Sequence, residues 1–215
     1  RSESLVYKVD WKTFWFMMGF FIKENCERAP HTAALLKKIP NLQNAFFSVV
    51  EPGMHIDPHW GHFKGFLRYH LGIIVPHNNT NKDIFLRIRP DIEKNRSLPM
   101  ADREMLLAEG THYYWHEGEG VMFDDNPLHD ATNLSDESRV VLFIDVSKKL
   151  PWYLDLFNRV CINVAIRNEP IVSMRRGAIV DESKVLSKPG RNRRLVGDEQ
   201  SRENKKRIAE EEICE

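Results

Sequence analysis

The sequence predicts an all-β core with helical flanks, on three observations. From Ala45 to Val146, short apolar runs recur at close spacing between turn residues such as Glu51-Pro52-Gly53. That is the pattern of an antiparallel sandwich or jelly roll, since a parallel sheet needs long crossovers. Phe66–Val75 alternates, with Leu67, Tyr69, Leu71, Ile73 and Val75 on one face and Arg68 and His70 on the other. Trp152–Arg167 then switches to the helical period, carrying Tyr153, Leu156, Phe157, Val160 and Val164 as a stripe expected to pack on the core.

Residues 1–44 read as mainly helical. The longest apolar run, Phe14–Ile22, is well short of the roughly 20 residues that span a bilayer. It is expected as a helix buried against the core, with a segment lying on a membrane surface as the other reading. Thr32–Lys38 follows Pro30 and stops at Pro40, as a short helix does. Strands are predicted at Ala45–Val50, Phe66–Val75 and Ile84–Ile88, then at Tyr113–Trp115, Gly120–Phe123, His129–Asn133 and Arg139–Val146. Between Asp83 and Gly110 lies an insertion with a helix expected around Ala101–Ala108, either covering a site or forming an idle surface excursion.

At 215 residues, one core and one domain are expected, at 1–172, followed by a charged tail at 173–215. The 31 basic and 31 acidic side chains balance, so no global charge points to nucleic acid. The basic residues Arg191, Arg193, Arg194, Lys205, Lys206 and Arg207 gather in the tail, where hydration is the ordinary outcome and contact with an anionic membrane the other. Cys26, Cys161 and Cys214 are too few and too widely spaced for a disulfide framework or a zinc knuckle. No signal peptide opens the chain, which begins at Arg1 without a methionine. A cytoplasmic location, or one on the cytoplasmic face of a membrane, is the expectation. The residues indicate no oligomeric state.

Two histidines carry the chemistry. His59 begins an H-x8-R-x-H spacing through Arg68 to His70, and His129 sits in F-D-D-x3-H-x9-R, from Phe123 to Arg139. Each lies at a strand edge beside turn residues, where the two can converge on one ion. Neutral imidazole suits iron, and open coordination positions admit oxygen and a co-substrate. A lone histidine is more often a surface or hydrogen-bonded residue; the pairing of each with a strand arginine argues for ligands. Arg139 opens the apolar run Val140–Ile144, where burial is costly unless its guanidinium meets an anion. That anion is either a ligand carboxylate gripped in bidentate fashion or a structural partner among Asp124, Asp125 and Asp145.

The stretches E-P-G-M-H-I-D-P-H-W-G, L-R-Y-H-L-G-I-I-V-P, W-H-E-G-E-G-V-M-F-D-D-N-P-L-H-D-A-T-N and R-V-V-L-F-I-D-V resemble the aspartyl/asparaginyl β-hydroxylase family over roughly Cys26 to Val146. Members are iron(II)- and 2-oxoglutarate-dependent oxygenases on a double-stranded β-helix, the cupin-like jelly roll. The segments E-N-C-E-R-A-P-H-T-A-A-L-L-K-K-I-P and W-Y-L-D-L-F-N-R are similar to the bacterial lipid A acyl-chain hydroxylases of the same superfamily. The resemblance implies that His59 and His129 are the iron ligands. It also implies that Arg139 with Ser48 binds the distal carboxylate of 2-oxoglutarate, that Arg68 and His70 lie near its metal-binding end, and that O2 is the oxidant.

Such oxygenases ordinarily add a carboxylate two residues after the first histidine, and here that position is Gly61. Water, chloride, Asp57 or Asp130 are the replacements the sequence offers. The glycine resembles the peptide hydroxylases, so an Asp or Asn side chain of a peptide is the expected substrate, with a lipid fatty acyl chain as the alternative. A halide-accepting halogenase and a jelly-roll binding module without catalysis are the remaining readings. Asn78-Asn79-Thr80 and Asn133-Leu134-Ser135 match the glycosylation triplet, a pattern common by chance.

Overall fold

The computed structural model describes residues 11–61 and 63–165, with positions 167, 168, 171, 172 and 178. The charged tail expected at 173–215 therefore lies, but for Ala178, outside the described residues. In chain order the elements are β1 (Trp11–Met18), β2 (Phe20–Phe21), α1 (Lys23–Arg28), α2 (Pro30–Leu36), β3 (Leu42–Val50), β4 (Met54–Trp60) and β5 (Phe66–Ile74). A turn of 3-10 helix at Pro76–Asn79 precedes β6 (Ile84–Arg89), α3 (Met100–Ala108), β7 (Thr111–Tyr114), β8 (Gly120–Phe123), β9 (Leu128–Asn133), β10 (Arg139–Ser147) and α4 (Trp152–Ala165).

The strands form two sheets, one in the order β2-β1-β3-β10-β5-β8 and one in the order β4-β9-β6-β7. Every pairing is antiparallel. Their inner faces meet in a shared cluster in which Ile84, Leu86, Trp115 and Ala131 pack with Val141 of the larger sheet. Two antiparallel sheets closed face to face make the jelly roll that the strand spacing predicted.

The segment 11–21 corrects the helical reading of the N-terminus. Phe14, Phe16 and Met17 pack outward with α1 and α2, while Trp15 turns inward and stacks on Phe46 at 4.1 Å. Both faces are therefore apolar, and a run that is apolar on both faces carries no period by which a strand can be told from a helix. Gly19, at φ 70°, makes the turn into β2.

β5 keeps the predicted alternation as far as Leu71; a bulge opposite Val140 and Val141 then breaks it, so that Ile73 is exposed and Val75, past the strand's end, packs in the inner cluster. Tyr69 and Leu71 support the cluster under α1 and α2, and Arg68 and His70 face the barrel interior. The insertion is not an idle excursion: α3 lies against the outside of the smaller sheet, where Leu107 is buried with Trp60 and Leu128, and Lys94 reaches the Gly61 carbonyl.

α4 is helical as predicted, but it is turned the other way round. Asn158 and Ile162 are its buried side chains, while Trp152, Tyr153, Leu156, Phe157, Val160 and Val164 are exposed. Among the described residues, no helix is long and apolar enough to cross a membrane.

Candidate functional site

β4 and β9 bring His59 and His129 together as directly opposed residues across the ladder. Strand alternation alone would put His59 on the opposite face from Ile56, three residues earlier. A bulge between Ile56 and His59 inserts one extra residue and re-aims the imidazole inward. Pro58 sits in that bulge, where its missing N–H costs no ladder bond. The two rings stand 4.2 Å apart, centroid to centroid, tilted by 52°.

Both imidazoles are held in the same way. His59 Nδ1 bonds the carbonyl of Asp57 at 2.8 Å, and His129 Nδ1 bonds that of Pro127 at 2.9 Å. A carbonyl only accepts, so Nδ1 carries the proton and the lone pair is on Nε2. This arrangement orients a histidine for metal ligation. Burial, reinforced by neighbouring His59, pushes His129 well below the ordinary histidine range, keeping it neutral as a ligand must be.

The larger sheet faces this pair with Ser48, Arg68, His70, Phe123 and Arg139 on its inner side. Arg139 is 2% exposed, and its Nε and Nη1 have no hydrogen-bond partner. Its guanidinium lies over the Trp115 ring at 4.4 Å, and burial without an adjacent anion pushes it down to about 9. None of Asp124, Asp125 and Asp145 bonds it, so the structural pairing offered by the sequence is not made there. His70 is likewise buried with both ring nitrogens unpartnered, and burial again lowers it well below the ordinary range. Ser48 Oγ accepts the indole N–H of Trp11 at 3.0 Å, which leaves its own hydroxyl proton to donate.

Arg68 differs from Arg139 in being fully engaged. Its Nε donates to Asp145 Oδ1 at 3.0 Å, its Nη2 pairs with Asp125 Oδ2 at 3.0 Å, and its guanidinium covers the Phe143 ring at 4.2 Å. Asn44 completes Asp145 by donating to its Oδ2 at 3.0 Å. Arg68 is thus a fixed counter-ion inside the barrel, and what it fixes is Asp125.

Asp125 is the residue the sequence reading missed. A Cβ on Gly61 would lie 2.5 Å from the Asp125 carbonyl oxygen and 2.7 Å from both Cγ and Oδ2 of its side chain. The Asp125 carboxylate therefore fills the space into which a side chain at position 61 would project, and only glycine fits there. The second aspartate of F-D-D was a usable signal, since it precedes His129 by four residues. Asp57 and Asp130, the replacements considered from the sequence, fit less well. Asp57 is exposed, and Asp130, next to His129 on the strand, points to the opposite face. Burial pushes the Asp125 carboxyl up against the pull of Arg68.

Two other groups bring together three possible ligands among the described residues: His55, Glu104 and Asp130, and His77, Asp136 and Glu137. The first is occupied by the Arg87 guanidinium, which bonds both carboxylates, and the second is exposed.

The geometry is thus a directly opposed histidine pair and a buried arginine without a bonded carboxylate, inside an antiparallel double sheet. The family model for aspartyl/asparaginyl β-hydroxylase matches residues 1–149, and the chain belongs to that family. It is 37% identical over 158 residues to an ornithine lipid ester-linked acyl 2-hydroxylase of Rhizobium tropici, covering 73% of this chain and 48% of that protein. It is 28% identical over 152 residues to human aspartyl/asparaginyl β-hydroxylase, covering 68% of this chain and 17% of that one. The chain thus spans about half or less of the length of these relatives. Among solved structures, a cupin domain of a transcriptional regulator from Enterobacter cloacae is similar at 12% identity and TM-score 0.36, over 65% of this chain and 99% of that one. The fold assignment rests on the strand order and not on that likeness.

Proposed function

We propose that the chain is an iron(II)- and 2-oxoglutarate-dependent hydroxylase acting on an unactivated C–H bond. The observation that carries this reading is Arg139: a buried guanidinium with two unpartnered nitrogens, in the same barrel as two directly opposed histidines whose Nδ1 atoms bond backbone carbonyls. A buried cation without an anion is costly, and the dicarboxylate of 2-oxoglutarate would relieve that cost. Donor chemistry fits iron as well, through two imidazoles with a carboxylate, Asp125, where position 61 has none.

When bound, iron supplies the oxidation of R–H by O2 and 2-oxoglutarate to R–OH, succinate and CO2. The chain's own residues do the rest. His59 and His129 hold the metal through Nε2, with their tautomers set by the Asp57 and Pro127 carbonyls. Arg139, kept planar against Trp115, grips the distal carboxylate with help from the Ser48 hydroxyl. His70, kept neutral by burial, offers a ring nitrogen beside the co-substrate. Arg68 holds the Asp125 carboxylate toward Gly61, where it would serve as the acid that position 61 does not supply. Trp115, Phe123 and Val141 pack together on the inner faces and would keep water from the reacting groups.

For substrate, a lipid acyl chain stands ahead of a peptide side chain, the reverse of the order Gly61 suggested. The more similar of the two relatives above is named for the lipid reaction. The peptide reading keeps its support in Gly61 and in the human relative.

The test is succinate release by the purified chain with iron(II), 2-oxoglutarate and either an ornithine-type lipid or an Asp/Asn peptide. The product should gain one oxygen atom, traceable to labelled O2. His59→Ala and His129→Ala should each abolish release without unfolding the protein. Turnover retained in both variants would refute the ligand assignment, and absence of iron uptake would leave a binding module.

A further inference from the structure

We propose that the outward face of α4 is a docking surface for a lipid bilayer with anionic headgroups. This inference rests on the helix surface and its charge, and does not depend on the chemistry at His59 and His129.

The helix attaches by its less apolar side. Asn158 and Ile162 are buried, and on the far side Trp152, Leu156, Val160 and Val164 form one row at spacings of four, with Tyr153 and Phe157 beside it. Trp152 is 79% exposed and Phe157 68%. Single exposed apolar residues are ordinary, but a continuous stripe containing a tryptophan, a tyrosine and a phenylalanine is not. Trp and Tyr at one end of such a stripe suit the boundary between headgroups and acyl chains, where an apolar ring and a polar tip are both satisfied.

Contacts with the barrel hold this orientation. The Asn158 amide donates to the Gly65 carbonyl at 3.4 Å, and a Cβ on Gly65 would lie 2.2 Å from Asn158 Oδ1, so the approach requires glycine. Lys148 N–H donates to the same carbonyl at 2.9 Å. Gly65 belongs to the segment that leads from His59 and Gly61 into β5. A membrane seated on α4 would thus lie beside the loop that follows the strand carrying the first histidine.

Charge decides the occupant. Lys148 and Lys149 precede the helix, and Arg159 lies at its rim, paired with Asp155 at 2.7 Å. Lys64, Lys94 and Lys148 outnumber Glu93 and Asp124 in the lining of a groove of about 500 Å3, where Lys148 pairs with Asp124. A second copy docked on α4 would bring Lys148, Lys149 and Arg159 toward their own counterparts, whereas an anionic bilayer would attract them. An apolar stripe flanked by cations is the pattern of an interfacial helix.

The test is co-sedimentation of the full 215-residue chain with vesicles of phosphatidylcholine alone and of phosphatidylcholine mixed with phosphatidylglycerol, at about 0.15 M and about 1 M salt. The wild type should pellet with the mixed vesicles and retain part of its binding at high salt, where charge is screened but apolar insertion is not. The double variant Leu156→Glu/Phe157→Glu, with both changes at exposed positions, should keep its thermal midpoint and lose binding by at least about tenfold at both salts. Brominated acyl chains should quench the wild type, and Trp152→Phe should lose that quenching. Binding by the double variant equal to wild type, complete loss of wild-type binding in high salt, or no wild-type binding at all would each overturn the proposal. So would a wild-type dimer that the double variant converts to monomer, which would assign the face to a second copy. 2-Oxoglutarate turnover without vesicles, measured in parallel, reports on the hydroxylase reading alone.

Discussion

His129 and Asp130 are neighbours on β9, yet they belong to two clusters that solve the same electrostatic problem in opposite ways. On the outer face, under α3, Asp130 meets its full set of partners. Arg87 Nε donates to both of its oxygens at 3.1 Å, and His55 Nε2 lies 2.7 Å from Oδ2. Arg87 also reaches Glu104 of α3 at 3.0 Å. Although burial pushes Asp130 up, the hydrogen bonds from His55 and Arg87 hold it below the usual carboxylate range. On the inner face the same residue types, histidine and arginine, are buried with donors and acceptors unused at His70 and Arg139. A closed ion network needs nothing further and acts as a buttress; an open one costs stability, and on the proposed function a ligand would offset that cost.

The sharpest way to break this contrast is to make one substitution on both faces. Arg87→Met strands Asp130 in a buried position, and the protein should lose about 3–5 kcal/mol of stability. Denaturant titration of the apoprotein measures that loss, while the KM for 2-oxoglutarate should change little. Arg139→Met should behave in the opposite manner. The apoprotein should be as stable as wild type or more so, because no partner is orphaned. Binding of 2-oxoglutarate should weaken by about 2–5 kcal/mol, seen as a raised KM and a lost ligand-induced thermal shift. If Arg139→Met destabilises the protein as much as Arg87→Met does and leaves 2-oxoglutarate binding intact, the two faces do not differ as described.

Gly61→Ala probes the inner face by crowding it. The added methyl meets Asp125 backbone and side chain, and about 1–3 kcal/mol of stability should be lost with a fall in iron affinity. Iron uptake and chemical unfolding of the same sample measure both.

The histidines on the two faces should also titrate with opposite sign. His70 and His129 are depressed by burial, so the unfolded chain binds more protons as pH falls through about 6.5, and their burial costs stability toward acid. His55 is raised, chiefly by its hydrogen bond to Asp130, so its contribution is present at acid pH and lost as pH rises through its folded value. Urea midpoints of the apoprotein should therefore fall from neutral pH toward 5.5, and His55→Gln should steepen that fall while His70→Asn flattens it. The smallest effect is expected at Glu104→Gln. Its side chain is 38% exposed, so solvent screens its pairing with Arg87 and His55, and the change should stay below about 1 kcal/mol in the same titration.

Much of the site was legible before any coordinates. The strand alternation at Phe66–Val75 put Arg68 and His70 together, and the run after Arg139 marked an enclosed guanidinium. What the sequence concealed were facts about faces. A run apolar on both sides, such as Phe14–Ile22, has no period to betray a strand. The stripe on α4 could be recognised as helical, but not as pointing outward. Nothing in the local pattern showed that Arg68 would be taken by Asp125 and Asp145 while Arg139 remained free of them.

Residue types and spacing alone determined the architecture, the histidine pair and the need for an anion, because period and desolvation cost act along the chain. Tertiary structure alone decided that a bulge at Pro58 turns His59 inward, that Asp125 stands where Gly61 has no side chain, and which arginine is left without a partner. Each of these depends on which strand lies opposite, a long-range pairing that the order of residues along one strand does not encode.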